Sequence, residues 1–150
     1  MTAEYAGRWF ALDRNLTVLS ESTTKDPYSS LVTVTLPEIY GIRVGETVCF
    51  LDAGIDRSYI AQAIDLLREN GLLERTTLLD VSEKFNVSYV LDGSLRVKLG
   101  RMSDLESKLE MVELILENRG EIGEFAVIDV SDPERSTYRP ISSAELLLKN

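Results

Sequence analysis

Apolar and polar residues alternate over two neighbouring segments, 85–91 and 95–99, and this pattern predicts the two arms of a β-hairpin. Residues 92–94 include Asp-Gly, a strong turn pair. A three-residue loop places every large apolar side chain on one face, whereas a two-residue loop mixes the faces. We therefore predict these cross-strand pairs: Leu91 with Leu95, Tyr89 with Val97 and Val87 with Leu99. Arg96 and Lys98 then lie on the opposite face.

Two other segments repeat apolar residues at helical spacing. The first predicted helix covers residues 58–70, and Asn70-Gly71 supplies its left-handed end. The second begins at Ser103 as N-cap, with Glu106 completing a capping box, and ends at Arg119-Gly120. Its apolar stripe consists of Leu105, Leu109, Met111, Val112, Ile115 and Leu116. Its acidic outer face consists of Glu110, Glu113 and Glu117, and this face favours basic partners.

The remaining β-prone runs complete an α+β layer architecture, a mostly antiparallel β-sheet with two α-helices on one side. They comprise a hairpin over residues 8–19, an irregular extended segment over 31–45, and strands over 76–81, 125–130 and 136–139. Residues 20–30 read as a polar surface loop. We assign residues 1–140 to one domain and residues 141–150 to a C-terminal tail, a frayed helix or a disordered segment.

The last predicted strand is followed by Pro140, which lacks the N–H that a central strand needs. This strand is therefore expected at the margin of the sheet. A sheet margin can accept a strand from another chain. Tyr138 on this strand fits an interface anchor and a core residue equally well, whereas Trp9 is expected in the core.

The composition narrows the chemistry available to the chain. Its 150 residues carry a net charge of −9, which disfavours nucleic acid and anionic membrane surfaces as partners. The chain has no histidine, and its one cysteine, Cys49, has apolar neighbours and is expected to be buried. We expect no metal site, no cofactor, no catalytic site and no small-molecule substrate. No apolar run is long enough to span a bilayer, and no signal peptide is evident at Met1.

Paired carboxylates are the one kind of catalytic group that this composition still allows. The candidates lie near predicted turns or strand ends: Asp52, Asp56, Asp80, Asp92 and Asp129. Aspartate is also favoured in turns because its side chain accepts backbone N–H groups, which is the preferred interpretation. Arg96 and Lys98 have two interpretations, an anion site and an ion pair across the sheet with acids such as Asp129 or Glu83. The second interpretation is preferred.

Five segments, in order, resemble the β-domain of FtsQ/DivIB bacterial cell-division proteins. The sequence LDGSLRVKLG at 91–100 resembles the family's hairpin, DLESKL at 104–109 its helix start, and IDVS at 128–131 with Pro133 its "iDls-x-P" strand. WFALD at 9–13 with Val18-Leu19 resembles its opening hairpin, and LP-x-I-x-G at 36–41 its "LP-x-i-x-G". The resemblance covers residues 9–140.

This resemblance implies a non-catalytic divisome scaffold at the division septum. It implies a domain on the extracytoplasmic side of the cell membrane, belonging to a longer protein with one membrane-spanning helix and a POTRA domain. The implied partners are FtsB/DivIC-type and FtsL-type division proteins, bound to help control septal peptidoglycan synthesis. The implied partner-binding residues are Val130, Ser131, Thr137, Tyr138, Arg139 and Pro140. The alternatives are a carboxylate-only cell-wall hydrolase and a cytoplasmic regulatory domain outside the family.

Overall fold

A nine-stranded mixed β-sheet dominates the fold, in a computed structural model that describes residues 1–118 and 125–146. The strands are β1 (Thr2–Tyr5), β2 (Arg8–Leu12), β3 (Val18–Ser22), β4 (Thr33–Thr35), β5 (Ile39–Gly41), β6 (Cys49–Phe50), β7 (Thr76–Asp80), β8 (Val87–Leu91), β9 (Leu95–Gly100), β10 (Ala126–Asp129) and β11 (Thr137–Pro140). The helices are α1 (Ser58–Glu69), α2 (Leu105–Glu117) and α3 (Ser143–Leu146).

The order of strands in the large sheet is β11-β10-β9-β8-β7-β4-β1-β2-β3, and β5 and β6 form a separate small pair. Neighbouring strands are mostly antiparallel, but β9–β10, β7–β4 and β4–β1 are parallel. Helices α1 and α2 cover one face and share a core with the strands. The α+β class predicted from the sequence is therefore correct, and the sheet is mixed rather than purely antiparallel.

The hairpin of β8 and β9 has the predicted three-residue loop, and Leu91 pairs with Leu95 and Tyr89 with Val97. The third predicted pair is wrong, because a bulge shifts the register and Val87 lies opposite Gly100. Leu99 is the extra residue of the bulge, and Gly100 accommodates it with a φ of +66°. Val87 and Leu99 are nevertheless both buried in the core.

Helix α1 runs over nearly all of the residues predicted for it. Its buried face carries Ile60, Ala63 and Ile64. The Tyr59 hydroxyl donates a hydrogen bond of 2.7 Å to the carbonyl of Val81, the residue after β7. Together these contacts hold α1 against the centre of the sheet.

Helix α2 begins at Leu105 without the predicted capping box. Asp104 precedes it with a φ of +54° and no side-chain capping bond, so the predicted roles of Ser103 and Glu106 are wrong. The start is fixed instead by Lys108, whose buried Nζ donates bonds of 2.8 Å to the carbonyls of Leu99 and Arg101. The predicted end at residues 119–120 lies outside the described residues.

The opposite face of the sheet is covered in part by α3. A capping box starts this helix, because Ser142 N–H donates to Glu145 Oε2 at 3.0 Å and Glu145 N–H donates to Ser142 Oγ at 3.3 Å. Arg96 lies beneath it, only 4% exposed, with its guanidinium donating to the Leu146 carbonyl and to Ser88 Oγ. The predicted solvent-facing position of Arg96, paired with acidic neighbours, is therefore wrong.

The structure also differs from three other predictions made from the sequence. Cys49 is exposed, because β6 directs Phe50 inward and its neighbour Cys49 outward. Trp9 is half-buried beside a groove and is not part of the core. The predicted loop at residues 20–30 gives its first residues to β3, and a short 3₁₀ turn, Asp26–Tyr28, follows.

Candidate partner-binding site

Strand β11 is the terminal strand of the large sheet, at the margin where the sequence predicted it. It pairs antiparallel with β10, and Tyr138 lies opposite Ile128. The ladder continues past the proline, because Ile141 N–H donates to the Phe125 carbonyl at 2.9 Å. The backbone of Pro140 therefore faces away from β10, so its missing N–H does not interrupt the ladder.

The side chains of β11 divide between the two faces of the sheet. Thr137 and Arg139 share the face of Arg96 and are exposed. Tyr138 lies on the helix-covered face, where its partly buried ring packs against the core. Pro140 is exposed at the end of the strand. The strand thus offers different chemistry on each face: polar and cationic on one, aromatic on the other.

The other two predicted binding residues belong to the segment that follows β10. Val130 is fully buried, and its N–H donates to the Lys98 carbonyl at 3.0 Å. Ser131 is exposed, but its N–H and hydroxyl both donate to Asp129 Oδ1, at 3.0 and 2.6 Å. These residues hold the end of β10, while the exposed margin itself consists of Thr137, Arg139 and Pro140.

A groove of about 440 Å³ lies beside β11. Its lining residues come from the end of α2 and the residue after it, and from β11 and the residue before it: Leu114, Ile115, Asn118, Ser136 and Tyr138. Leu114 is 49% exposed. Sequence reasoning did not identify Leu114. The available signal was that this leucine lies outside the predicted apolar stripe of α2, where an apolar side chain is exposed.

An exposed ion pair links β11 to α3. Arg139 Nη1 lies 3.4 Å from Glu145 Oε1, and both side chains are well exposed. The backbone N–H of Ser142 and the guanidinium of Arg139 lower the pKa of the Glu145 carboxyl. Because a surface ion pair of this kind contributes little, Arg139 can exchange this partner for another at small cost.

Each candidate catalytic carboxylate has a local partner. Asp56 and Asp80 accept bonds from the N–H and hydroxyl of the serine two residues on, as Asp129 does. Asp52 accepts from the Gly54 N–H at 2.9 Å, and Asp92 pairs with Arg75. The contacts of Asp52, Asp56, Asp80 and Asp129 agree with the turn interpretation preferred from the sequence, whereas Asp92 pairs with an arginine distant in sequence.

The described residues form neither a metal site nor a membrane-spanning helix. Within residues 1–118 and 125–146, no group of three or more His, Cys, Asp or Glu side chains can hold a metal ion. Over the same residues, no helix has the length and apolarity needed to cross a bilayer. Burial raises the pKa of Tyr89, whose hydroxyl has no hydrogen-bond partner among the described residues.

Comparisons with known proteins do not assign the chain to a family. No family model matches it, and no curated protein matches it. The geometry of the β11 margin and the adjacent groove is therefore the basis for the functional proposal that follows.

Proposed function

We propose that this chain is a non-catalytic scaffold domain of bacterial cell division that binds partner proteins along β11. On this proposal the partners are FtsB/DivIC-type and FtsL-type proteins, and binding helps to control septal peptidoglycan synthesis. The domain lies on the extracytoplasmic side of the cell membrane, as the resemblance to FtsQ/DivIB proteins implies.

The observation that carries the proposal is the position of β11 beside an apolar groove. A partner segment that extends the sheet at β11 places alternate side chains above and below it. Those on the helix side reach the groove of Tyr138, Leu114 and Ile115. Those on the other side meet Thr137 and Arg139. Backbone pairing supplies affinity in this mode of recognition, and the groove supplies specificity.

The acidic outer face of α2 gives further support to this proposal. The outer face of α2 carries three exposed acids that lie close in sequence to the groove residues, Glu110, Glu113 and Glu117. This face attracts a basic partner segment and repels an acidic one. A segment with apolar side chains for the groove and Lys or Arg for the helix therefore suits the site.

Calorimetric titration tests this proposal. The whole chain is titrated with the extracytoplasmic segment of the FtsB/DivIC-type protein from the same genome, and the titration is repeated with Leu114→Asp and with Tyr138→Asp. A charge placed in an apolar contact is expected to weaken binding about a hundredfold. Leu114 is the sharper position, because its half-exposed side chain can be replaced without disturbing the core.

Leu19→Asp is the matched control. Leu19 is 59% exposed on β3, the strand at the other margin of the sheet. This variant is expected to bind as the unmodified chain does. Equal weakening by Leu114→Asp and by the control Leu19→Asp contradicts the proposal. So does the absence of binding by the unmodified chain in calorimetry and in a second method.

A further inference from the structure

A second groove lies far from β11, between β1 and β4. These parallel strands share one residue pair, Thr2 with Thr33, and no further pair among the described residues. A groove of about 570 Å³ is lined by residues 3–5 on one side and residues 33–39 on the other. The sheet is therefore open where two parallel strands would otherwise continue their ladder.

The walls of this groove combine apolar and aromatic groups. Trp9 and Tyr5 come from the β1–β2 hairpin, and Leu36 and Ile39 come from the chain after β4. All four side chains are partly buried, so they leave surface for a ligand. Such walls accept apolar side chains.

The hydrogen-bonding capacity of the wall is incompletely used. Thr33 Oγ1 is shielded from solvent and makes no hydrogen bond within the described residues. A buried hydroxyl without a partner is uncommon in folded proteins. A ligand with backbone N–H and C=O groups can supply that partner.

The charges at the groove favour a cationic ligand. Glu4 and Glu38 are exposed at its margin, and neither forms an ion pair with a described residue. Glu4 lies directly opposite Trp9 across β1 and β2. The Trp9 ring already has a cation near it, because Lys25 Nζ lies 5.1 Å from the ring centre.

We propose that this groove binds an extended peptide segment of a partner protein that presents apolar side chains next to Lys or Arg. The apolar side chains contact Trp9 and Leu36, and the basic side chains contact Glu4 and Glu38. The groove is separated from β11 by five strand-to-strand spacings, roughly 24 Å, so it is a site distinct from the one proposed above.

The chain carries its own reporter for this site, since Trp9 is its single tryptophan. Three seven-residue peptides with blocked ends and no tryptophan serve as probes, alternating Lys with Val, Leu or Phe. Binding of at least one of them is expected to shift the Trp9 emission and to raise the anisotropy of the labelled peptide. Matching peptides with Glu in place of Lys are expected not to bind.

Charge reversal at the groove separates a local site from general attraction to an acidic protein. The double variant Glu4→Lys/Glu38→Lys is expected to weaken peptide binding about tenfold. Glu38→Gln, which adds no bulk, is expected to weaken it about threefold. The control Glu69→Lys/Glu74→Lys makes the same change in net charge at two exposed acids that line neither this groove nor the one beside β11, and it is expected to have less than a twofold effect.

Two results overturn this inference. The first is the absence of any change in Trp9 emission with all three basic peptides, because anisotropy alone also reports binding at β11. The second is equal weakening by the groove variant and the Glu69→Lys/Glu74→Lys control, which means that the peptides respond to net charge alone. Retention of the unbound Trp9 emission spectrum in each variant shows that the groove remains folded.

Discussion

At the scale of single residues, Arg96 is a buried cation that forms no ion pair with a carboxylate of residues 1–118 or 125–146. Burial lowers its pKa, and the nearby charge of Asp80 opposes that shift in part. Its hydrogen bonds go to neutral acceptors, the Leu146 carbonyl, at 3.1 Å from Nε, and Ser88 Oγ, at 3.2 Å from Nη1. Arg96 therefore joins the C-terminal segment to the middle of the sheet.

Arg96→Met is expected to lower the free energy of unfolding by about 1–3 kcal/mol, because the carbonyl and hydroxyl lose their donor inside the protein. The variant is also expected to be cleaved faster near α3 by a protease. Lys98→Met, a change in a partly exposed side chain of the same strand, is the control and should alter the free energy by less than about 0.5 kcal/mol. Urea unfolding and limited proteolysis measure both effects. An Arg96→Met variant as stable and as protected as the unmodified chain contradicts this role.

Asp56 is expected to make the stability depend on pH in the acid range. Its pKa lies well below the ordinary 3.8, first because the Ser58 hydroxyl donates to the carboxylate and then because Lys84 does. A depressed folded-state pKa stabilises the fold above the unfolded-state pKa, and this contribution disappears as the pH falls toward the folded-state pKa. Asp56→Asn should therefore flatten the fall in unfolding free energy between about pH 5 and pH 2.5. Identical slopes for the two proteins in urea titrations at each pH would rule this out.

At the scale of elements, the β8–β9 hairpin depends on two glycines with positive φ in different surroundings. Gly93 lies in the loop with a φ of +67°, and a Cβ there meets no atom within 4 Å. Gly100 lies at the bulge with a φ of +66°, and a Cβ there lies 2.8 Å from Ser131 Cβ. The bulge thus brings the end of β9 against the segment that follows β10.

Gly93→Ala is expected to cost about 1–2 kcal/mol, which is the cost of the left-handed backbone alone. Gly100→Ala is expected to cost about 1–3 kcal/mol more, because the added methyl group also collides with Ser131. Urea unfolding of the two variants gives the difference directly. Equal losses of stability would show that the space around Gly100 relaxes without cost.

Local patterns were sufficient for much of the element structure. Period-two alternation located β8 and β9 and their loop, and helical periodicity located α1 nearly to the residue. The starts of other elements depend on distant partners. Lys108 holds the start of α2 by binding carbonyls of the preceding hairpin, and α3 covers Arg96 from fifty residues away. Such contacts leave no local signal in the sequence.

The site was predictable to a similar degree. Pro140 correctly indicated that the last strand lies at the sheet margin, because a missing N–H is tolerated there. The groove beside it was not predictable, since Leu114 and Tyr138 come to line the same groove only in the folded chain. The second groove was likewise hidden, because it depends on two parallel strands that share a single residue pair.

At the scale of the whole molecule, the large sheet separates the two proposed binding sites. β11 forms one margin, and the opening between β1 and β4 lies beyond five strand spacings. The proposals predict that both sites are filled at the same time. Saturating β11 with the FtsB/DivIC-type segment should change the peptide affinity read from Trp9 emission by less than about twofold, since distant independent sites act additively. Strong competition in the emission titration would show instead that the ligands share one site.

The measurement that tests the central claim most directly is amide hydrogen exchange with and without the extracytoplasmic segment of the FtsB/DivIC-type partner. Strand addition at β11 predicts slower exchange at Tyr138, whose N–H faces away from β10, and in the adjoining end of α2, with little change in β3 at the opposite margin. Binding that leaves β11 unprotected, or that protects β3 instead, would contradict the account.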